Sequence, residues 1–559
     1  MEPTDIQREI IDREGNMVVM ASPGSGKTFV ISHKIRTILQ KDELRDYQGV
    51  IAISYTRKAS ENLKNRTLEG GVSVKNSFFG TIDSFCLTQI ILNYGDYAIG
   101  YPSVPVKPLS IYDLPDEDRS GCEWISKQHP DHDTISEEQW ESLFALYKTG
   151  YVLVESLELL ALYVFRNSLA CRNYLKARFK YIFIDEYQDA DNYTDALFHE
   201  LVALGLTGVA VGDKNQSIFG FAHKDNRYLV GLDSDTKFSS FLLSQNFRCS
   251  PPIINYSNRL LDKDCELISC NEGKYEGVCY VLVAGGEENV AEYLSEQIPL
   301  LCEKEKVENR NQIAILVKTR KTQESIDKGL TIPHRLIEST SLDMDLNPRS
   351  RLYAEILQYY FEDTKLFLSV VDQYVDYDLL SVQDRKNLSD LGKEIKNIGE
   401  DNINKLPDLF NKVADILLPD LADDLSTPKL KEVLGDEKML ATYKPSSKDE
   451  VVLMTLHKAK GLEFDYVYHL NMNEWELPVK QARNGDFNDL FYPCYYQDLD
   501  LHYVGITRAR KVCFLIGSTL RTNSRGGTSK ASASVFLNIN NLKSLRTNYN
   551  YSNGAHTIF

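Results

Sequence analysis

No Cys-x-x-Cys pair occurs in this chain, and no histidine stands at finger spacing from any of its ten cysteines. Cys265, Cys270 and Cys279 come nearest to a cluster but lack the paired spacing of a zinc site. Buried free thiols in a reducing cytosol are the expectation. Long apolar runs are also missing: none approaches ~18 uncharged residues, and Met1-Glu2-Pro3-Thr4-Asp5 has no basic-then-apolar signal pattern. These absences predict a soluble cytoplasmic protein with no membrane partner. Positive charge is in deficit, with a net charge of −17, which excludes a generally basic nucleic-acid coat protein. A local basic groove on an acidic body stays compatible with that balance. There is no low-complexity block to suggest disorder, and 559 residues suffice for three or four domains with separate cores.

What is present is a strand–helix rhythm. Met17–Met20 leads into ASPGSGKT (21–28) and a helical FVISHKIRTIL, and Val50–Ser54 leads into a helical RKASENLKNR. Such alternation predicts a parallel sheet with helices on both faces. From 91 the texture changes: Pro102, Pro105 and Pro108 mark a loop, and 135–178 has helical spacing with no clear strands. The rhythm returns with YIFIDE and GVAVGD (208–213), so a helical insertion interrupts the first α/β unit. The second half repeats the plan. Strand-like runs at 278–283 and 313–317 precede a helical stretch from about 345 to 440, and strands return at 451–455, 465–470 and 512–516. Within 361–440, 18 Asp+Glu stand against 10 Lys+Arg, which favours a solvated or protein-facing helical surface over a DNA grip. The polar stretch 521–534 reads as a linker or mobile loop.

Two features carry chemistry. Gly24, Ser25 and Gly26 allow backbone N–H groups to close around phosphate, Lys27 can reach the β/γ-phosphates, and the Thr28 hydroxyl suits Mg²⁺. Ala21 replaces the first glycine of the general pattern, with Ser22 and Pro23 completing the loop. The paired acids Asp185-Glu186 follow an apolar strand, as magnesium-dependent NTP hydrolysis requires: the first acid holds the ion, the second polarises water. Gln188-Asp189 trail them.

Eight ordered segments surround these features: Gln7; SYTRKA (54–59); GTIDSF (80–85); DEYQD (185–189); VGDKNQSIF (211–219); QNFRC (245–249); MTLHKAKGLEF (454–464); and YVGITRAR (503–510). Together they resemble the UvrD/Rep/PcrA group of superfamily 1A DNA helicases, over about 7 to 516. The resemblance implies an α/β fold of two RecA-like P-loop domains, 1A and 2A, each interrupted by a mainly helical insertion, 1B or 2B. The boundaries expected are 1–90 with 176–250 (1A), 91–175 (1B), 251–340 with 445–559 (2A) and 341–444 (2B). It implies ATP and Mg²⁺ as ligands and single-stranded or tailed DNA as the track, with 3′-to-5′ movement. By this resemblance Gln7 reads the adenine edge and Phe247 stacks on its face. Thr28 and Asp185 hold Mg²⁺, Glu186 is the general base, and Gln216 senses the γ-phosphate. Arg248 and Arg508 neutralise phosphoryl charge, and Glu463 lies at the sugar. Tyr55, Thr56, Thr81, Ser84, Phe221, Thr455 and His457 match DNA-contacting positions. Two departures stand out. Phe221 is followed by Ala222-His223 where the family has Arg-Gly, leaving His223 or Lys224 to stand in for the arginine. The second insertion is reduced to roughly 100 acidic residues. Compact relatives of this kind include the helicase-like subunits of Gabija anti-phage systems, which resemble GTIDSF, FIDEYQDAD, NFRC with INYSN, and STSLDMDLNP (339–348) here. That likeness implies a partner of the OLD/TOPRIM nuclease type, since no nuclease constellation follows YVGITRAR. Three readings follow: a DNA-translocating ATPase, a DNA-end-sensing ATPase that activates a nuclease, and a nucleotide-switched scaffold without hydrolysis.

Overall fold

The computed structural model describes every residue except 1, 42–43, 115, 221–222, 270–276, 346, 372–373, 376, 378–379, 420–424, 484–485, 523–526 and 553–559. In chain order the first half supplies β1 (Met17–Ala21), β2 (Gly49–Ile53), β3 (Phe78–Gly80), β4 (Lys107–Leu109), β5 (Tyr151–Leu153), β6 (Phe179–Ile184), β7 (Thr207–Gly212) and β8 (Ser239–Leu243). Six of these form one sheet in the order β3-β2-β6-β7-β1-β8, every pair parallel. The second half supplies β9 (Val278–Val283), β10 (Ile313–Val317), β11 (His334–Leu336), β12 (Val451–Thr455), β13 (Phe464–His469), β14 (Gln481–Arg483), β15 (Asp486–Phe491), β16 (Ala509–Ser518), β17 (Leu520–Thr522), β18 (Thr528–Lys530) and β19 (Thr547–Tyr551). Seven of them build a second parallel sheet, β11-β12-β10-β13-β16-β9-β19.

The apolar runs become strands because both faces of each sheet are covered. GVIAI of β2 and IAILV of β10 are buried at every position, as continuous rather than alternating hydrophobic runs require. Each sheet is sandwiched between two apolar cores, on either face of the first and of the second. A separate core around Leu352, Ile356, Phe410 and Leu430 belongs to the helices between β11 and β12.

The chain leaves the first sheet after β3 and rejoins it at β6, and leaves the second after β11 and rejoins it at β12. Several sequence expectations need correction here. The stretch 135–178 is not free of strands: Tyr151–Leu153 pairs with Lys107–Leu109 in a two-stranded ribbon. Residues 521–534 are not a plain linker, because β17 and β18 pair antiparallel and are tied to the sheet by Leu520 N donating to Gly285 O at 2.8 Å. The edge strands β3, β8, β11 and β19 carry too short or too polar a pattern to be read from sequence, and tertiary pairing makes them. None of the nine described cysteines forms a disulfide, seven of them are buried, and Cys270 lies outside the described residues. Among the described residues no helix is long and apolar enough to cross a membrane.

Candidate nucleotide and nucleic-acid site

Parallel strands bring their carboxyl ends to one edge of the sheet, and the loops beyond β1, β2, β3, β6, β7 and β8 carry nearly every first-half residue singled out by motif. Ala21 ends β1, and Ser22 donates its N–H to Leu243 O of β8 at 2.9 Å. Pro23, Gly24, Ser25 and Gly26 then turn into the helix Lys27–Gln40, which starts with no side-chain cap. Gly24 and Gly26 have φ of +70° and +87°, where L side chains are strained. A Cβ on Gly24 would sit 2.5 Å from Asn246 Oδ1, and one on Gly26 would sit 2.9 Å from Gln7 Nε2. A bare turn at an uncapped helix N-terminus suits phosphate oxygens, so this loop fits the group the motif implies.

Gln7 is buried against that loop. Its side chain closes a capping box with Thr4, and its Nε2 donates to Ser25 O at 3.1 Å. Phe247, beyond β8, is held by its N–H donating to Gly24 O at 2.9 Å, and its ring is 44% exposed. A ring anchored by its backbone but solvent-facing can stack on a planar base.

Facing the loop, Asp185 and Glu186 follow β6. Lys27 Nζ lies 3.4 Å from Glu186 Oε1, and Gln188 Nε2 donates to Glu186 Oε2. Glu186 adopts a left-handed backbone, φ 59° and ψ 40°, a conformation that costs a non-glycine residue about 1–2 kcal/mol. Burial raises the Glu186 carboxyl, but Lys27 and Lys460 outweigh it and hold the group ionised, well below the usual carboxylate range. Burial and then the Glu186 charge push Asp185 up. Lys27 is also shifted upward, since Glu186, Asp213 and Asp185 together overcome the burial that opposes its charge.

The second half completes this cluster. Arg508, 2% exposed at the end of the helix Tyr495–Thr507, donates from Nη2 to Gln216 Oε1 at 3.3 Å and from Nη1 to Leu462 O at 3.2 Å. Gln216 Nε2 in turn donates to Asp213 Oδ2 at 2.7 Å. Arg248 Nε and Glu463 Oε2 form an ion pair at 2.7 Å across the two halves. Lys460 was not singled out from sequence, yet it joins the halves most closely. Its Nζ is ion-paired with Asp189 Oδ2, donates to Gln216 O at 2.7 Å and lies 3.9 Å from Glu186 Oε2. Asp189 is buried, so this lysine is its compensating charge. Asp213 was missed as well. Both stood inside quoted motifs, and only the fold shows their convergence.

The residues expected on the DNA path gather less completely. Tyr55, beyond β2, stacks on Phe219 with centroids 4.7 Å apart, and Phe219 lies 5.9 Å from the His457 ring. Lys460 covers both aromatics, at 6.0 Å from Tyr55 and 5.2 Å from Phe219. Phe219 is therefore a member of this cluster that sequence reading overlooked. Thr455 ends β12 and accepts from Lys458 N at 3.5 Å, leading into the same loop. Thr56 and Thr81 cap the helices Arg57–Leu68 and Ile82–Phe85, and Ser84 Oγ accepts from Arg351 Nη1 at 3.2 Å. Phe221 lies outside the described residues. Lys224 does not stand in for the missing arginine. Its side chain is 13% exposed and is spent on Asp191 at 2.8 Å and Glu158 at 3.7 Å.

Residues 7–222 match the model of an AAA domain, and residues 350–519 match the model of the UvrD-like helicase C-terminal domain. With the ordered motifs, these matches support a UvrD-like DNA helicase of superfamily 1A that hydrolyses ATP. Among curated proteins it is similar to the Gabija protein GajB of Bacillus cereus, 27% identical over 527 residues that span 91% of this chain and 94% of the relative. It is also similar to the ATP-dependent DNA helicase PcrA of Staphylococcus epidermidis, 23% identical over 609 residues covering 91% of this chain and 82% of that protein.

Proposed function

We propose that the chain hydrolyses Mg-ATP in the cleft between its two parallel sheets and converts the cycle into 3′-to-5′ movement on single-stranded DNA. The observation that carries this reading is the convergence of Lys27, Glu186, Gln216, Arg508 and Lys460, drawn from both halves, on one buried cluster. Domains 1A (1–90 and 176–250) and 2A (251–340 and 445–559) would face each other there, with 91–175 and 341–444 as insertions 1B and 2B. Thr28 and Asp185 would hold Mg²⁺, whose charge supports ionisation of the raised Asp185 carboxyl and screens the phosphates.

Glu186, held ionised, accepts the proton of the attacking water as oxygen bonds to the γ-phosphorus and the bridging oxygen leaves with ADP. Lys27, Arg248 and Arg508 balance the charge that spreads over the phosphoryl oxygens. Gln7 and Phe247 receive the adenine, and Glu463 the sugar. Tyr55, Phe219 and His457, with Thr56, Thr81, Ser84, Phe221 and Thr455, form the track, where stacking on aromatics tolerates any base sequence.

Likeness to GajB supports a cytoplasmic anti-phage role beside a nuclease partner of the OLD/TOPRIM type. A second reading, a DNA-end sensor that hydrolyses ATP and activates that partner with little unwinding, is favoured by the diversion of Lys224 into a buried ion cluster. Glu186→Gln is expected to bind ATP normally and lose at least ~10²-fold of its DNA-stimulated turnover; undiminished hydrolysis would sink the mechanism. Strand displacement on tailed duplex by the wild-type chain separates translocase from sensor.

A further inference from the structure

The segment 223–226 follows the Gln216 loop and is fastened on two sides. On the sheet side, Asp225 N donates to Ala190 O at 3.0 Å and Asn226 Nδ2 donates to Lys214 O at 2.7 Å. Lys224 Nζ pairs with Asp191, which is only two residues beyond Asp189 and caps the helix Asn192–Leu204. On the other side stands the excursion between β3 and β6. Glu158 of its helix Leu157–Asn167 lies 3.7 Å from the same ammonium. The His223 ring stacks on His129 at 4.7 Å with only 6° between planes, and its Nε2 meets Ser126 O at 3.2 Å. His223 takes φ +61° to do so.

One largely enclosed cation thus joins the carboxylate that caps the helix Asn192–Leu204 to a carboxyl on the insertion. Asp191 and Glu158 have side chains 4% and 8% exposed, so neither can substitute water for this partner. His129, though 3.5 Å from Asp191, is driven toward its neutral form by burial, which leaves Lys224 as the cation of the group.

We propose that Lys224 is a positioning residue that couples the ATP cluster to the insertion between β3 and β6. A shift of the Gln216 loop moves residues 223–226, and the Lys224 bridge passes that shift to Glu158 and its helix. The inference rests on the reading of the chain as a DNA-linked ATPase. It predicts a lesion in communication, with hydrolysis itself spared.

The full chain serves for the test, with ATPase measured with and without saturating oligothymidine. Lys224→Met should keep basal kcat and the KM for ATP within about twofold and lose at least about tenfold of the DNA stimulation of kcat; Lys224→Arg should restore most of it. Full stimulation in Lys224→Met overturns the proposal, as does an equal fall of basal and stimulated rates that arginine does not repair. Should Lys224→Met fail to fold, Glu158→Ala removes the carboxyl on the insertion side and should still lower stimulation; unchanged stimulation there overturns the coupling. A wild-type chain indifferent to DNA would instead remove the underlying reading, and the inference with it.

Discussion

Replacing Arg508 by lysine separates charge from geometry at the centre of the site. The guanidinium donates to Val504 O at 3.1 Å, Leu462 O at 3.2 Å, Thr507 Oγ1 at 3.2 Å and Gln216 Oε1 at 3.3 Å. Burial, then the charge of Arg248, pushes its pKa down to about 10, which still leaves it a cation at neutral pH. Lysine keeps the charge but has one nitrogen and cannot span Leu462 and Gln216 together. At least one buried acceptor then loses its donor, at a cost of about 1–3 kcal/mol in stability. A phosphoryl-neutralising arginine is worth ~10³–10⁵ in rate, or about 4–7 kcal/mol at ~1.36 per tenfold. The rate term exceeds the stability term, so the lesion should appear in kcat while the protein is still folded. Single-turnover phosphate release at 25 °C, paired with a thermal melt, measures both. A fall of at least ~10³-fold with a melt lowered by only a few degrees is expected. Turnover within tenfold of wild type at a similar melt shift would refute the role assigned to this side chain.

Gly24→Ala should cut ATP affinity at least about tenfold by calorimetry, because the new Cβ meets Asn246 Oδ1 at 2.5 Å in a φ +70° turn. The displaced Asn246 also caps Arg248 N and Cys249 N, at 2.8 and 2.9 Å, so the 246–249 loop should shift with it. Lys460→Met leaves Asp189 buried without its cation and should destabilise by about 3–5 kcal/mol in chemical denaturation. Adding Asp189→Asn should recover part of that loss; additive losses in the pair would show that the two groups do not interact in solution.

Much of the ATP site was legible in one dimension because its chemistry is local. A P-loop needs contiguous glycines, a lysine and a hydroxyl at a helix start, and paired acids need only a strand to end beneath them. Lys27 and Glu186 could each be given a role on that ground alone, and the fold sets them 3.4 Å apart. The central strands were equally plain, since a strand covered on both faces must be apolar throughout, as β2 and β10 are. The edge strands were not, because β3, β8, β11 and β19 owe their state to a neighbour's hydrogen bonds more than to their own pattern. Lys460, Phe219 and Asp213 were printed inside recognised motifs without a role, for a lysine's spacing does not reveal which carboxylate faces it across a cleft. Lys224 shows the same limit most sharply. The sequence offered it as a cation for DNA, and the fold buries it between Asp191 and Glu158. Residue type and order determined which reaction this chain is built for. Only the meeting of segments more than 240 residues apart, such as Gln216 with Lys460 and Arg508, decided which charges are paired across the cleft. Electrostatic partnership depends on distance and burial, and a linear sequence encodes neither directly.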